Sequence, residues 1–365
     1  MLQLRHMGQQ RIASLLAPPS LQGSRYVVPD TPEVGAKERL TAKIPPRLEP
    51  LARTGYRTAT GRQFRAWVEL RQRMTARDPR TLTDHIRHKM AHDRRRILTT
   101  FADKIAVREH VAGVIGAQHL STVHAVTRDP GLLDWCSVPR EFVCKASHGS
   151  GGAVLVWDGA DARARLPEDA STVGWQRYVV RPDAADAERI VDLSRRWMSL
   201  EYDWWPGKPV VEWAYQDIPP GILVEELLLD ADGCLPTDYK FFTFAGQVRL
   251  ISVDRGRFGA HTRDVMSPGW DRLPVRLGKP PSATPPERPR NLGLMLELAA
   301  ALGRAAVDFV RVDLYDLGDR VVFGELTNYP DAGQAKISPS SFDAEWGRYW
   351  PSAPSGREDA VVAVR

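Results

Sequence analysis

The segment 309–330, FVRVDLYDLGDRVVFGELTNYP, limits the possible folds of this chain more than any other stretch. Two runs rich in Val and Phe, 309–315 and 321–326, flank the turn-forming Asp316, Leu317, Gly318 and Asp319. That pattern reads as a β-hairpin. Each run carries one carboxylate where a core strand carries none, Asp313 in the first and Glu325 in the second. A loop centred on Asp319 sets the two directly across the hairpin. Opposed like charges weaken a sheet, but a divalent cation turns the repulsion into coordination. Mg²⁺ takes one or two carboxylates together with substrate phosphates. A slip in register would instead leave one carboxylate facing solvent. The rest of the chain decides between these outcomes.

With 365 residues there is material for two or three domains with a real core. No apolar run approaches the roughly 18 residues of a spanning helix, and no signal-peptide core follows Met1. Cys136, Cys144 and Cys234 share no metal-ligand spacing and cannot all pair, which fits a reducing compartment. The expectation is a cytoplasmic protein. The net charge of +5 is uneven: residues 1–100 hold 20 Lys and Arg against 8 Asp and Glu, leaving −7 on the other 265. The scattered arginines and few aromatics (Tyr56, Phe64, Trp67) argue against a nucleic-acid arm. A face that attracts an anionic substrate, or solvated surface, accounts for them better.

In chain order, residues 1–45 read as a loosely ordered leader. An Arg-rich helix is expected over 63–75, and Asp78, Pro79, Arg80 and Thr81 cap a second over 82–100. His85, His88 and His92 share one side of it, but Arg87, Lys89, Arg94, Arg95 and Arg96 beside them would repel a metal ion. A further helix is expected over 105–115. Then comes EFVCKA, 141–146, an apolar strand with Lys145 inside it, followed by Ser147, His148, Gly149, Ser150, Gly151 and Gly152 and a second strand from Ala153. Strand, Gly-rich loop, strand is the form of a flap that lays backbone N–H groups over phosphates. It is neither a P-loop nor a dinucleotide fingerprint, because no helix follows. A serine hydrolase would need a G-x-S-x-G elbow, which the chain lacks.

A helix is expected over 184–200, before Trp204, Trp205, Pro206 and Gly207. The run 222–228 is a buried-looking strand that carries Glu225 and Glu226. Asp230 and Asp232 form a D-x-D pair that an Asp-Gly turn explains better than a glycosyltransferase metal site. The strand 238–244 holds a second buried lysine, Lys240, and 248–253 returns beside it. A buried lysine without an anionic partner is costly. Two such lysines and two such acids therefore point to one polyanion-and-metal site. Arg255, Arg257, His261 and Arg263 fall in a loop expected to run to Trp270, a Pro-rich linker follows over 274–290, and a helix spans 292–306.

These blocks together resemble the TupA-like ATP-grasp family. The resemblance runs from about 79 to 350 through ADKIAVREHV, EFVCKASHGSGG, ILVEELL, DYKFFTFAGQ, VDRGRFGAHTRDV, FVRVDLYD and FGELTNYPDAG. It implies an α+β ATP-grasp fold, two α+β subdomains (139–224 and 225–350) clasping ATP. A mainly helical region (46–138) precedes them and a flexible tail (351–365) follows. It implies that Lys104 and Lys145 grip phosphates, that His148, Gly149, Ser150, Gly151 and Gly152 cover them, and that Glu225, Glu226 and Leu227 form the hinge that meets adenine or ribose. Lys240 would face the nucleotide. Asp313 and Glu325 would hold Mg²⁺, or Mn²⁺ in its place, with Thr327 or Asn328 as a third ligand. Asp331 stands where the family more often has Gly. Arg311 would neutralise the transferring phosphoryl group. Arg257, His261 and Arg263 would hold the carboxylate donor or the tetrahedral intermediate, unless they form a structural charge cluster.

The implied activity is ADP-forming ligation of a carboxylate and an amine through an acyl phosphate. A kinase or transferase acting on a hydroxyl or sugar polymer is the alternative, and a binder without chemistry ranks last. The expected partners are ATP, a carboxylate donor and an amine acceptor, whether amino acid, peptide or anionic polymer. Nucleic acid and a membrane span are not expected, and a homodimer stays open.

Overall fold

The computed structural model describes residues 25–26 (backbone only), 70, 72–74, 77–202, 211–256 and 260–351. Most of the leader, most of the helix expected over 63–75, Trp204 to Gly207, Arg257 and the tail beyond 351 lie outside them. Among the described residues no helix is long and apolar enough to cross a membrane.

A two-residue strand β1 (Arg25–Tyr26) comes first, then the helices α1 (Leu82–His92), α2 (Ile97–Ala102) and α3 (Val107–Ile115). Thr81 caps α1 as expected: its hydroxyl accepts from Asp84 N–H, and the Asp84 carboxylate accepts from Thr81 N–H. The single helix expected over 82–100 is two helices. Asp93 interrupts it by accepting the Arg95 N–H at 3.0 Å, a side-chain turn that competes with the helical ladder.

The strands β2 (Val123–Thr127), β3 (Phe142–Ala146), β4 (Ala153–Val156), β5 (Arg177–Arg181) and β6 (Ile222–Glu226) join β1 in a six-stranded sheet, in the order β1-β5-β4-β3-β6-β2. Helix α4 (Ala187–Met198), N-capped by the Asp186 carboxylate, buries Ile190, Leu193 and Trp197 against it. Two strand placements cut across the expected subdomain limits: β2 lies in the segment 46–138, and β6 runs across position 225.

The second sheet is antiparallel throughout, formed by β7 (Asp238–Phe244), β8 (Gln247–Arg255), β9 (Thr262–Met266), β11 (Phe309–Asp316) and β12 (Val321–Thr327) in the order β12-β11-β7-β8-β9. Strand β9 falls where a loop was expected. Its polar sequence, TRDVM, hides a strand whose Arg263 pairs across to Asp254. Helix α5 (Leu292–Ala306) covers one face of this sheet with Met295, Ala299 and Leu302, against Val310, Val312 and Phe241. In the Pro-rich stretch, β10 (Arg276–Leu277) pairs with β13 (Ile337–Ser338), and α6 (Ser341–Gly347) closes the described chain. The uncovered face of the second sheet and one face of the first enclose a cleft of about 510 Å³.

Candidate functional site

One end of the cleft is cationic. Alternation along β3 buries Phe142, Cys144 and Ala146 and turns Val143 and Lys145 toward the cleft. Lys145 Nζ pairs with Glu225 Oε1, two residues along the neighbouring strand from Leu223, which lies opposite Lys145. Glu225 Oε2 accepts from Ser121 Oγ at 2.8 Å and lies 3.5 Å from an Arg108 nitrogen. Burial works to raise the Glu225 carboxyl, but Lys145, Ser121 and Arg108 together outweigh it and hold the group below the usual carboxylate range. Lys104 sits in the turn before α3, where its N–H donates to the Ser147 carbonyl at 3.2 Å and its Nζ donates to the Gly149 carbonyl. Burial pulls the Lys104 ammonium down to about 8; Glu325 opposes the shift, while Lys145 and Arg177 add to it.

The Gly-rich loop joins β3 to β4 and lies flat on Trp175. A Cβ at Gly149 would meet the Trp175 ring at 2.5 Å, and one at Gly151, with φ +103°, would meet the Trp175 carbonyl at 2.6 Å. Glycine is therefore required here by the seat beneath the loop as well as by anything above it. Ser150, Gly151 and Gly152 line the cleft. His148 turns away from it, buried, and donates from Nε2 to the Trp197 carbonyl at 3.1 Å.

The hairpin β11–β12 supplies the acids. Asp313 is opposite Glu325 on one side and Lys240 on the other. Arg311, two residues before Asp313, forks onto it at 2.7 Å through both nitrogens and reaches Glu325 Oε1 at 2.8 Å. Lys240 is buried between Asp238 Oδ2 at 2.5 Å and Asp313 Oδ2 at 2.7 Å, so its charge is matched within the sheet. Two carboxylates within reach of one guanidinium nitrogen form an oxygen-only donor pair, the kind Mg²⁺ accepts when phosphates complete its shell. Thr327 Oγ1 lies 3.3 Å from Glu325 Oε1, whereas Asn328 is buried and donates to the Leu98 carbonyl at 2.7 Å. Among the described residues, no three His, Cys, Asp or Glu side chains gather into a metal-holding group. His85 stacks on Trp350, and the Asp230 carboxylate accepts the N–H groups of Asp232 and Cys234 in a turn.

At the other end Asp254 takes both forks of Arg263, at 2.6 and 2.7 Å, with His261 Nε2 3.4 Å away. Burial acts to raise the Asp254 carboxyl, but Arg263 and His261 overcome it and hold it far below the ordinary range. The Arg263 fork is thus occupied inside the protein. Arg255, beside Asp254 in the cleft wall, hydrogen-bonds Ser282 and Thr284 through one terminal nitrogen, while its Nε has no partner among the described residues.

The cleft lining brings together Lys104, Lys145, Ser150, Gly151, Gly152, Glu225, Glu226, Leu227, Asp313 and Glu325. Missing from the lining are His148, Gly149, Lys240, His261, Arg263, Arg311, Thr327 and Asn328, which stand behind it. Sequence reasoning missed Arg177, which begins β5 opposite Ala153 and lines the cleft at its cationic end. It also missed Arg108 and Ser121 behind Glu225. An isolated arginine at the start of a strand gives no periodic signal, so only the parallel pairing with β4 reveals Arg177.

A six-stranded and a five-stranded sheet facing each other across such a cleft make this an α+β protein. Residues 183–350, a little under half of the chain, match the family model described as TupA-like ATPgrasp. The two lysines and the flap precede the matched segment. Among solved structures, the ATP-grasp ligase PsnB complexed with a minimal precursor is 12% identical, over 64% of this chain and 53% of that one, with a TM-score of 0.30. Phosphoribosylglycinamide synthetase from Anaerococcus prevotii is also 12% identical, over 68% and 48%, with a TM-score of 0.29. The chain spans about half the length of these structures. No curated protein matches it.

Proposed function

We propose that the protein is an ATP-dependent carboxylate–amine ligase that releases ADP and phosphate. The observation that carries this reading is one cleft with three cations (Lys104, Lys145, Arg177) and a Gly-rich flap at one end and the Asp313–Glu325 pair on the facing sheet. Phosphoryl transfer asks a protein for positioning and charge neutralisation rather than covalent chemistry. Lys104, Lys145 and Arg177 would hold the polyphosphate, with Ser150, Gly151 and Gly152 above it. The apolar wall of Val143, Leu155, Leu227 and Phe323 suits a base. Asp313 and Glu325 would hold Mg²⁺, which when bound neutralises the phosphates and orients them.

In the reaction, an oxygen of the donor carboxylate attacks the γ-phosphorus of ATP and ADP leaves, giving an acyl phosphate. The amine then attacks the acyl carbon, phosphate leaves with the bond electrons, and the nitrogen loses a proton to yield the amide. Arg311, behind the lining with its fork on Asp313 and Glu325, would act on the transferred phosphoryl group through that pair. The donor carboxylate is assigned to the Arg255 end of the cleft, where a planar guanidinium in the lining suits a carboxylate. His261 and Arg263 would act there through Asp254. The flap would keep water from the acyl phosphate.

The test is ADP release from Mg·ATP across amino acids, dipeptides and uronic acids, each with and without hydroxylamine. ADP that appears only with a carboxylate, together with a hydroxamate, is the expected result. ADP formed with an alcohol and no hydroxamate would replace the ligase with a kinase.

A further inference from the structure

We infer that Glu225 is a positioning residue for Lys145 rather than a reader of adenine or ribose, an inference that rests on the nucleotide reading above. The sequence resemblance places this acid at the hinge beside the base, yet both of its oxygens are already engaged by the protein. Oε1 contacts Lys145 Nζ, and Oε2 receives Ser121 Oγ at 2.8 Å, with Arg108 3.5 Å away. Arg108 in turn donates to Ser121 Oγ at 3.0 Å and to the Ser121 carbonyl, so helix α3 and the segment before β2 brace the carboxylate from behind. Glu225 is itself only 8% exposed.

The physical need is plain. Lys145 shares its end of the cleft with Lys104 and Arg177, and repulsion among the three would drive its flexible stem away from the phosphates. A lysine is a point charge on four rotatable carbons, which makes it poorly pre-organised on its own. A braced carboxylate one strand away fixes Nζ in the cleft wall before any ligand arrives. The same carboxylate also lowers the local positive charge, an effect that by itself would weaken anion binding. The two effects predict opposite signs, so the experiment separates them.

Mg·ATP affinity is measured calorimetrically for the wild type, Glu225→Gln, Lys145→Met and the double variant, with thermal melts alongside. Positioning predicts that Glu225→Gln binds about ten- to hundredfold more weakly, the scale of a lost charged hydrogen bond. It also predicts that the double variant is no weaker than Lys145→Met alone, because Glu225 then has nothing to place. Ratios of ATP to 2′-deoxy-ATP and to N6-methyl-ATP should stay as in the wild type. Tighter binding by Glu225→Gln, additive losses in the double variant, or a collapsed analogue ratio each overturn the inference. Wild-type protein that binds no nucleotide overturns the functional reading and this inference with it, whereas the other failures leave that reading standing. Should Glu225→Gln not fold, Ser121→Ala removes the hydroxyl that donates to Oε2 and accepts from Arg108, leaving the carboxylate in place. It should weaken ATP two- to fivefold in a Lys145 background and leave a Lys145→Met background unchanged; equal effects in both overturn the inference.

Discussion

At the residue scale, the paired acids differ in what surrounds them, and the difference is testable. Glu325 keeps 38% of its side chain exposed and meets Arg311, whereas Asp313 is 2% exposed between Arg311 and Lys240. Glu325→Gln should therefore fold as the wild type does and lose Mg²⁺-dependent ADP release. Unchanged turnover would remove the metal assignment. Asp313→Asn leaves two cations without their shared partner and should cost about 3–5 kcal/mol of stability, read from denaturant midpoints. Lys104 supplies a pH test. Its folded value of about 8 lies below the ordinary 10.5, so Lys104 favours folding above 10.5, and that contribution is lost as pH falls through 8. A polyanion at Nζ restores the charged form, so nucleotide binding near pH 8.5 should take up a fraction of a proton. Calorimetry in buffers of different ionisation enthalpy should show the uptake, its disappearance by pH 6.5, and its absence in Lys104→Met. Proton release, or no change at pH 8.5, would contradict it. Asp313 and Glu325 were legible in the sequence because a charge inside an apolar run is costly and stands out. Arg177, Arg108 and Ser121 were not, since their significance comes from which strands and helices lie side by side.

At the scale of elements, the hairpin carries a correction hidden inside a correct pairing. A loop centred on Asp319 would set Asp313 across from Glu325, and the two are opposite. The turn is in fact centred half a residue earlier, with Asp316 opposite Val321 and Leu314 opposite Phe323. An uninterrupted ladder would then place Gly324 across from Asp313 and send Glu325 to the other face. A bulge at Gly324 adds the missing residue and returns Glu325 to the site. A Cβ there would meet Tyr315 Cε2 at 2.9 Å and the Asp313 carbonyl at 3.2 Å. Gly324→Ala should therefore cost about 1–3 kcal/mol by overpacking and lower ADP release at least tenfold by displacing Glu325. Gly318→Ala is the control: its φ of +90° strains an alanine, but nothing lies within 4 Å. That variant should lose stability and keep its turnover once folded. Equal turnover losses in both would mean that the bulge does not set the site. Helix α5 and strands β7 and β11 were readable from periodicity and β-branched content. The break at Asp93 and strand β9 were not, because side-chain hydrogen bonds and buried ion pairs replace the apolar pattern there.

At the scale of the whole molecule, the cleft works only if the two sheets keep their relation to each other. Glu226, the last residue of β6 in the first sheet, accepts the Thr122 N–H at 2.7 Å and an Arg320 N–H at 3.0 Å. Arg320 belongs to the turn of the hairpin that carries Asp313 and Glu325. Beside it the His119 ring lies 2.9 Å from the Val321 carbonyl. The contact is 39% exposed on the arginine and 22% on the acid, so screening limits its worth to about 1 kcal/mol or less. Its consequence should appear in geometry rather than in stability, because a small misplacement of reacting groups costs far more in rate than in folding. Arg320→Ala should melt within a few degrees of the wild type, since about 1 kcal/mol corresponds to ~1–2 °C at this size. The KM for ATP should rise several-fold at low salt, and the difference from the wild type should shrink at high salt, where the wild-type pair is itself weakened. Arg320→Lys keeps the charge and should recover part of the loss. A wild-type KM in Arg320→Ala at low salt would mean that the packed core, and not this surface clasp, holds the β11–β12 hairpin over the six-stranded sheet.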